Sequence, residues 1–556
     1  MSKTKKKSRS AYDSYGYGFY NGIKSYGRYI AISSILEDLD SGAVILEIEY
    51  DTLSGERRTI SIKRDLLSRK KDLQALLLKH GADAYDGSIS TLMNCLRESE
   101  NHATTGFCFR RTGWITDACG TADETLCFKA NSLICHPDVD CEANYVGLYD
   151  LRKKGSFSAW KSLVRKWVLG SAALEVALLI GLSPIISCEW GGRNLIFHFM
   201  GDSSTGKTTS AILSVSTAGC PNPAETAKNK SAEGNLLRSL LSSWKGTSNA
   251  LIGKLDGLDG TIMVFDELSK VENSDILSST IYTLSDGADK DRMLSPTEMQ
   301  STNVIRTNIL SVGEESLLEK AGSKNSGLNI RVCEISTNFT QSAEQSEAIV
   351  TGCYANYGHA VPKFVRYIVT NMTYADVSYL RQKNLADFAA GLKAKGCQST
   401  ALDRLSEFGA ILLTTADIAK DALDLEFSRE AITDFLIDQH LRAESNTDIG
   451  LRAHNALKDY INAHIGNFIT DGSSSWDKSI PCLGKIDRPK GGPMEASILC
   501  SEFSAIMRQM GYNNPSLILQ KFKFLGFLSY ESGKNYRKRQ LTKVGGTVRV
   551  YVVRFP

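Results

Sequence analysis

Nothing in this sequence of 556 residues is long and apolar enough to cross a bilayer. The longest apolar stretch, around 171–187, is broken by Glu175 and Pro184 and reads as buried helix. The basic start is not followed by the apolar segment of a secretory leader, so the expectation is a cytoplasmic protein without membrane contact. Closely paired cysteines are missing too. The 13 cysteines contain no C-x-x-C, which argues against a disulfide framework and against common zinc modules. The one cluster, Cys119, Cys127, Cys135, His136 and Cys141, is spaced too widely for paired zinc ligands and reads as buried thiols. Bulk charge is also lacking: the formal net charge is +3, so the total does not announce a polyanion binder. No nuclease or protease constellation is visible.

What is present is a globular composition, 42% apolar and 23% charged, in a chain long enough for three or four domains. Charge is concentrated at the ends. The opening MSKTKKKSRS is basic without an acid, and residues 512–556 carry nine Lys or Arg against Glu531 alone. Local basic patches of this kind are the footprint of nucleic-acid contact.

The strongest signal is GDSSTGKTT, residues 201–209. It follows the apolar run NLIFHFM and precedes a helix-compatible segment. Strand, glycine-rich loop and helix form the context of a phosphate-binding loop. Gly201 and Gly206 let the backbone turn its N–H groups of Asp202, Ser203, Ser204 and Thr205 inward, and the following helix adds its positive end. Lys207 is expected to reach the β- and γ-phosphates of ATP, Thr208 to place its hydroxyl on Mg²⁺, and Thr209 to complete the loop. Some sixty residues on, TIMVF ends in Asp266 and Glu267. Asp266 is expected to hold Mg²⁺ and Glu267 to orient and polarise the attacking water. A third strand at 304–316 offers Ser311, with Glu314 second, as a sensor of the γ-phosphate or as an ordinary strand end. Arg331, in a later strand-like run, is either an arginine finger for a neighbouring subunit or a structural ion pair.

The remaining chain is read around this core. Residues 1–14 are a disordered basic tail. Residues 15–150 form a mixed α+β domain, with a hairpin at 43–50 and 57–64, a helix at 65–81 capped by Asp65, a second at 90–99, and strands at 107–115 and 125–134. Trp160 and Trp167 sit at helical spacing and read as core. The ATPase core spans 151–345. Within it, 284–301 is a turn-containing segment whose Lys290 and Arg292 either contact DNA from a pore loop or lie on a solvated surface loop. Residues 346–470 are a helical lid or packing domain, and 471–494 a linker. Residues 495–556 read as helix (495–511), helix (514–526) and β-hairpin, a winged helix. Lys521 and Lys523 lie on its second helix, and Arg537, Lys538, Arg539, Lys543 and Arg549 on its wing. They suit DNA backbone neutralisation; the alternative is a winged helix used for protein contact.

The succession GDSSTGKTT, WKGTSNAL, IMVFDEL, ILSVGE and the later arginine, with TGWI and YGHAVPKF, resembles a bacterial P-loop ATPase family catalogued as domain of unknown function nine hundred and twenty-seven. It also resembles AAA+ replication helicases of mobile genetic elements, related to the minichromosome-maintenance helicases. The resemblance implies an α/β AAA+ P-loop ATPase core and a ring, a hexamer, acting on single-stranded or forked DNA with ATP and Mg²⁺. It supports Lys207, Asp266, Glu267 and Arg331 in the roles above. Where minichromosome-maintenance proteins end the sensor strand in asparagine, this chain has Ser311. The expected function is an ATP-hydrolysing, ring-forming DNA helicase or translocase in replication of a mobile element or prophage. The alternatives are a DNA-binding initiator switched by ATP without motor action, or a phage-defence ATPase.

Overall fold

The computed structural model describes residues 12–115, 126–231, 236–271, 274–287, 293–295, 298–299, 304–321, 327–328, 330–397, 402–447, 449–470, 479, 481–488, 492–512, 514–531, 534–541 and 546–555. Its centre is a parallel five-stranded sheet. The strands lie in the order Leu241–Ser243, Met263–Asp266, Ile309–Val312, Ile196–Met200, Val332–Ser336. All four neighbouring pairs are parallel. Such a sheet is covered on both faces, and its strands are accordingly near-continuous apolar runs. Ile309 and Val312 are at most 1% exposed, as are Ile196 and Phe199.

The core includes an apolar helix, Ala172–Leu182, in which every residue from Ala173 onward is buried. It packs against Lys207–Ser216, the helix that follows the phosphate-loop strand. Pro184, which lacks an N–H and fixes its own φ, starts a new helix, Pro184–Trp190, bent by 53° from the first. Among the described residues no single helix is long and apolar enough to cross a membrane. The buried Glu175 carboxylate accepts from the backbone N–H groups of Gly170 and Ser428, so its place in the core is explained by hydrogen bonding. Trp160 is fully buried and donates from its indole N–H to Ser216 at 3.0 Å, as core rather than platform.

The helices Ala360–Asn371, Tyr374–Ala394, Leu402–Leu423 and Arg429–Thr447 share one apolar cluster with the sheet. Phe408 meets Phe197 of the phosphate-loop strand edge-on at 5.3 Å. The helical region is therefore continuous with the core rather than a separate body.

The N-terminal unit is built on a second five-stranded sheet, ordered Ala143–Tyr145, Thr104–Phe109, Ile30–Asp38, Val44–Asp51, Arg57–Lys63. The hairpin pairs Ile48 with Ile60. Helix Ile89–Glu100 packs over it and over the small sheet formed by Tyr12–Tyr15, Gly18–Asn21 and Lys24–Arg28. Residues 12–14, assigned to the basic tail, are thus strand; 1–11 lie outside the described residues. The helix expected over 65–81 divides into a 3-10 turn, Arg64–Ser68, and an α-helix, Lys70–Lys79; Asp65 lies within the turn and pairs with Arg69 at 3.0 Å rather than capping.

The C-terminal unit differs most from the sequence reading. The segment read as one helix, 495–511, is a strand, Met494–Leu499, followed by a helix, Cys500–Gln509. The strand pairs with Thr547–Phe555 and with Gly484–Asp487, itself inside the stretch read as linker. Helix Ile449–Ala463, assigned to the lid, contributes Ala453, Leu457 and Ile461 to the cluster containing Phe503 and Phe522. Asn514 caps the next helix, Pro515–Phe524, by accepting from Leu517 N–H.

Candidate nucleotide and nucleic-acid sites

The carboxyl ends of the parallel strands carry a cavity of about 1060 Å³, lined by Ser203 through Thr209, Asp266, Glu267 and Glu314, and closed on one side by Thr340–Val350 residues. Ligands bind at this edge of open α/β sheets because the loops there converge. The phosphate loop adopts the backbone the glycines permit: Gly201 and Gly206 have φ of 144° and 87°. A Cβ on Gly206 would lie 2.9 Å from the Thr340 nitrogen, so the approach of the 339–340 segment requires glycine. That segment is tied down by Phe339 N–H donating to the Thr205 carbonyl. Ser204 and Glu267 also have positive φ, 66° and 61°. Two of three such non-glycine residues among those described therefore sit at one cavity, as strain at working sites does.

Lys207 is buried and donates to the carbonyls of Gly201 and Asp202 at 2.7 and 2.6 Å. Its ammonium is held at the loop, where an anion would exchange for these carbonyls. Thr208 Oγ1 lies 3.4 Å from Asp266 Oδ2. Thr209, buried at the wall of the same cavity, shares a 2.6 Å hydrogen bond with Ser346. Burial pushes the Asp266 carboxyl up, and the neighbouring Glu267 charge adds to this, against the Glu267 N–H, Thr208 and Lys207. A dication would offset that cost. Glu267 is half-exposed and ion-paired with Lys270, whose hydrogen bond lowers its pKa.

Ser311 does not reach the cavity. It is fully buried, and its hydroxyl lies 2.9 Å from both His198 Nδ1 and Trp244 Nε1. The residues that follow it, Val312, Gly313 and Glu314, line the cavity instead. Ser203 Oγ of the phosphate loop donates to Glu314. The sensor assignment for Ser311 is therefore corrected: its polarity serves the interior. The signal for this network was the histidine inside the otherwise apolar run NLIFHFM.

Arg331 precedes Val332–Ser336, at the amino edge of the sheet, whereas the phosphate loop follows Ile196–Met200 at the carboxyl edge. A five-residue strand at about 3.3 Å per residue separates the two edges by roughly 16 Å. Arg331 meets Asp286 at 3.3 Å, donates to the Gly327 carbonyl and stacks over Tyr282. Within the chain it is ion-paired, and the 201–206 loop of its own chain is out of reach.

The C-terminal hairpin sorts its cations by face. Arg539 is half-buried and bonded to Glu495 at 2.9 Å, Asp487 at 3.3 Å and Ser497. It is neutralised within the domain, a correction to its reading as a DNA contact. Arg537, on the same face, donates to the Tyr530 carbonyl. Lys538 and Arg549 are register partners on the outer face, both exposed. Arg549 stacks over Tyr536, and Lys523 over Tyr530 at 4.3 Å. Lys521 lies half-buried on the same helix. Lys290, Arg292 and Lys543 lie outside the described residues.

Residues 24–303 match the model of the family described as domain of unknown function DUF927. Residues 448–556 match the Cch helix turn helix domain, beginning at the helix that the C-terminal core recruits. No curated protein matches the chain significantly. Among solved structures, one described as "SCCmec type IV Cch - active helicase" is similar over 98% of this chain and 97% of its own, at 22% identity and a TM-score of 0.73. A second, "The A form apo structure of NrS-1 C terminal region-CTR", covers 73% of this chain and 91% of its own at 11% identity and a TM-score of 0.25. The first shares the fold. The match to the family model spans half of the sequence, and the chain belongs to the DUF927 family.

Proposed function

We propose that the chain is an AAA+ ATPase that hydrolyses ATP to move on or unwind DNA, with the C-terminal helix-turn-helix domain, built as a winged helix, as a DNA contact. The observation that carries the reading is the convergence of Lys207, Thr208, Asp266 and Glu267 on one cavity at the carboxyl edge of the parallel sheet. The strand Ile309–Val312 inserted between the phosphate-loop strand and the Asp-Glu strand supports an AAA+ core. The overall likeness to a structure described as an active helicase supports the motor.

In this reading the backbone of 202–206 and Lys207 bind the phosphates and orient them. Thr208 and Asp266, two hard oxygen donors side by side, would hold Mg²⁺, which supplies neutralisation of charge on the transferred phosphoryl group. Glu267 polarises the attacking water. Arg331 would serve a neighbouring copy in a hexameric ring, leaving Asp286 to do so.

The test is ATP turnover with and without single-stranded and forked DNA, alongside strand displacement, for wild type and Glu267→Gln. Stimulation by DNA with displacement is expected, and a loss of kcat of about 10²–10⁴ in the variant. Turnover indifferent to DNA and no displacement would leave an ATP-switched DNA binder and sink the motor.

A further inference from the structure

The hydroxyl of Ser311 links three neighbouring strand segments of the central sheet, and its hydrogen bonds have one self-consistent assignment. Trp244 Nε1–H can only donate, so it donates to Ser311 Oγ at 2.9 Å. The Ser311 O–H is then free to donate to His198 Nδ1, also at 2.9 Å. His198 Nε2–H donates to the Glu315 carbonyl at 2.9 Å. The imidazole is neutral in one tautomer and every polar atom of the chain of contacts is used. Each member belongs to a different strand or the residue just past it. His198 belongs to the phosphate-loop strand. Trp244 donates its backbone N–H to the Asp266 carbonyl and packs on Phe265 at 4.9 Å. Ser311 and the Glu315 carbonyl bracket residues 312–314. Gly313 bonds to Phe199, and a Cβ there would lie 2.8 Å from Leu268 Cβ and 3.2 Å from His198 Cε1, so no side chain fits. The next residue is therefore thrown into the cavity, and that residue is Glu314.

A carboxylate facing a phosphate cannot bind it directly, since like charges repel. It can accept a hydrogen from a water between them. Water has two O–H bonds, and Glu267 and Glu314 line the same cavity. We propose that Glu314 is a second carboxylate acting on the attacking water, and that Ser311, His198 and Trp244 are positioning residues that set its place relative to Asp266 and Glu267. This rests on the ATPase reading above. In the step, the water oxygen bonds to the γ-phosphorus as the bond to the ADP oxygen breaks. ADP leaves with the electron pair, and the water proton passes through a carboxylate to the product phosphate. With each O–H held by one carboxylate, the water lone pair is aimed at phosphorus before reaction begins.

The experiment compares wild type, Glu314→Gln, Ser311→Ala, Ser311→Thr and the double variant Ser311→Ala/Glu314→Gln, each as the full chain. It measures binding of a fluorescent ATP analogue, steady-state kcat and KM, and thermal midpoint. Glu314→Gln, an exposed change, is expected to leave affinity within about twofold and lower kcat on the order of 10- to 100-fold. Ser311→Ala is expected to lower kcat with KM little changed, Ser311→Thr to restore it, and the double variant to be no slower than Glu314→Gln alone. Unchanged kcat in Glu314→Gln, or additive losses in the double variant, would overturn the proposal while the ATPase reading stood. A wild-type chain that binds or turns over no ATP would overturn the ATPase reading itself, and this proposal with it.

Discussion

At the level of single residues, the buried imidazoles are acid-sensitive. Burial pushes His198 and His440 from 6.5 down to about 4. The unfolded chain takes up both protons near pH 6.5, whereas the folded chain resists until near pH 4. Their contribution to stability is therefore present above pH 6.5 and is lost as the pH falls from there towards 4. Urea midpoints at pH 7.5 and pH 5 should show it: the midpoint is expected to drop at pH 5, and less so in His440→Phe. An unchanged midpoint would mean that neither imidazole is buried as described. Gly206→Ala is the matching backbone test. A left-handed conformation costs an alanine about 1–2 kcal/mol, and its Cβ would push Thr340 off the loop, so binding of the fluorescent ATP analogue should fall well below wild type. The loop's backbone was legible because the spacing puts glycine where φ is positive, with Lys207 where the proposed phosphate would lie. Ser311 was not, because a serine at a strand end reads the same whether its hydroxyl faces a cavity or the interior. Only its partners, Trp244 and His198, decide.

Among the elements, the C-terminal hairpin yields the sharpest contrast. Burial raises the Glu495 carboxyl, but Arg539 and Arg554 more than reverse this and hold it below its usual value. Arg539→Ala removes charge-assisted hydrogen bonds worth about 1–3 kcal/mol and is expected to lower the thermal stability of the C-terminal unit. Lys538→Ala and Arg549→Ala, on the outer face, should leave the midpoint alone and weaken DNA binding, with a shallower dependence on salt. The opposite pattern, with Arg539→Ala costing affinity but not stability, would reverse the assignment of the two faces. The parity of a strand explains why sequence counting could not sort these residues. Arg537, Lys538 and Arg539 are equally basic, and only pairing with Thr547–Phe555 reveals which alternate inward. Strand Met494–Leu499 was missed for a related reason. Its short buried run, Ala496 to Ile498, leads directly into the helix Cys500–Gln509 and took on that helix's period.

In the molecule as a whole, the parallel core, its order of events along the chain and the helical region were legible from alternating apolar strands and helical periods. The joins were not. Helix Ile449–Ala463 has the same amphipathic pattern whether its apolar side meets the lid or the C-terminal unit, and it meets the latter. Likewise the helices from Ala360 to Thr447 read as a lid or a packing domain, which helical periods alone do not tell apart, and Phe408 and its neighbours share the apolar core of the sheet. Truncation after residue 400 should therefore unfold the core rather than release an active fragment. A soluble, cooperative unfolding transition in such a fragment would contradict the shared core.

The distance between Arg331 and its own phosphate loop has a consequence in mixed populations. A chain carrying Arg331→Ala keeps an intact loop, and a chain carrying Lys207→Ala keeps an intact arginine. Each alone would be silent if the arginine serves a neighbour. Blended, they would place some good loops beside good arginines and regain part of the turnover. Complementation between two dead proteins, rising and then falling as their ratio is varied, is a signature that an arginine working within one chain cannot produce.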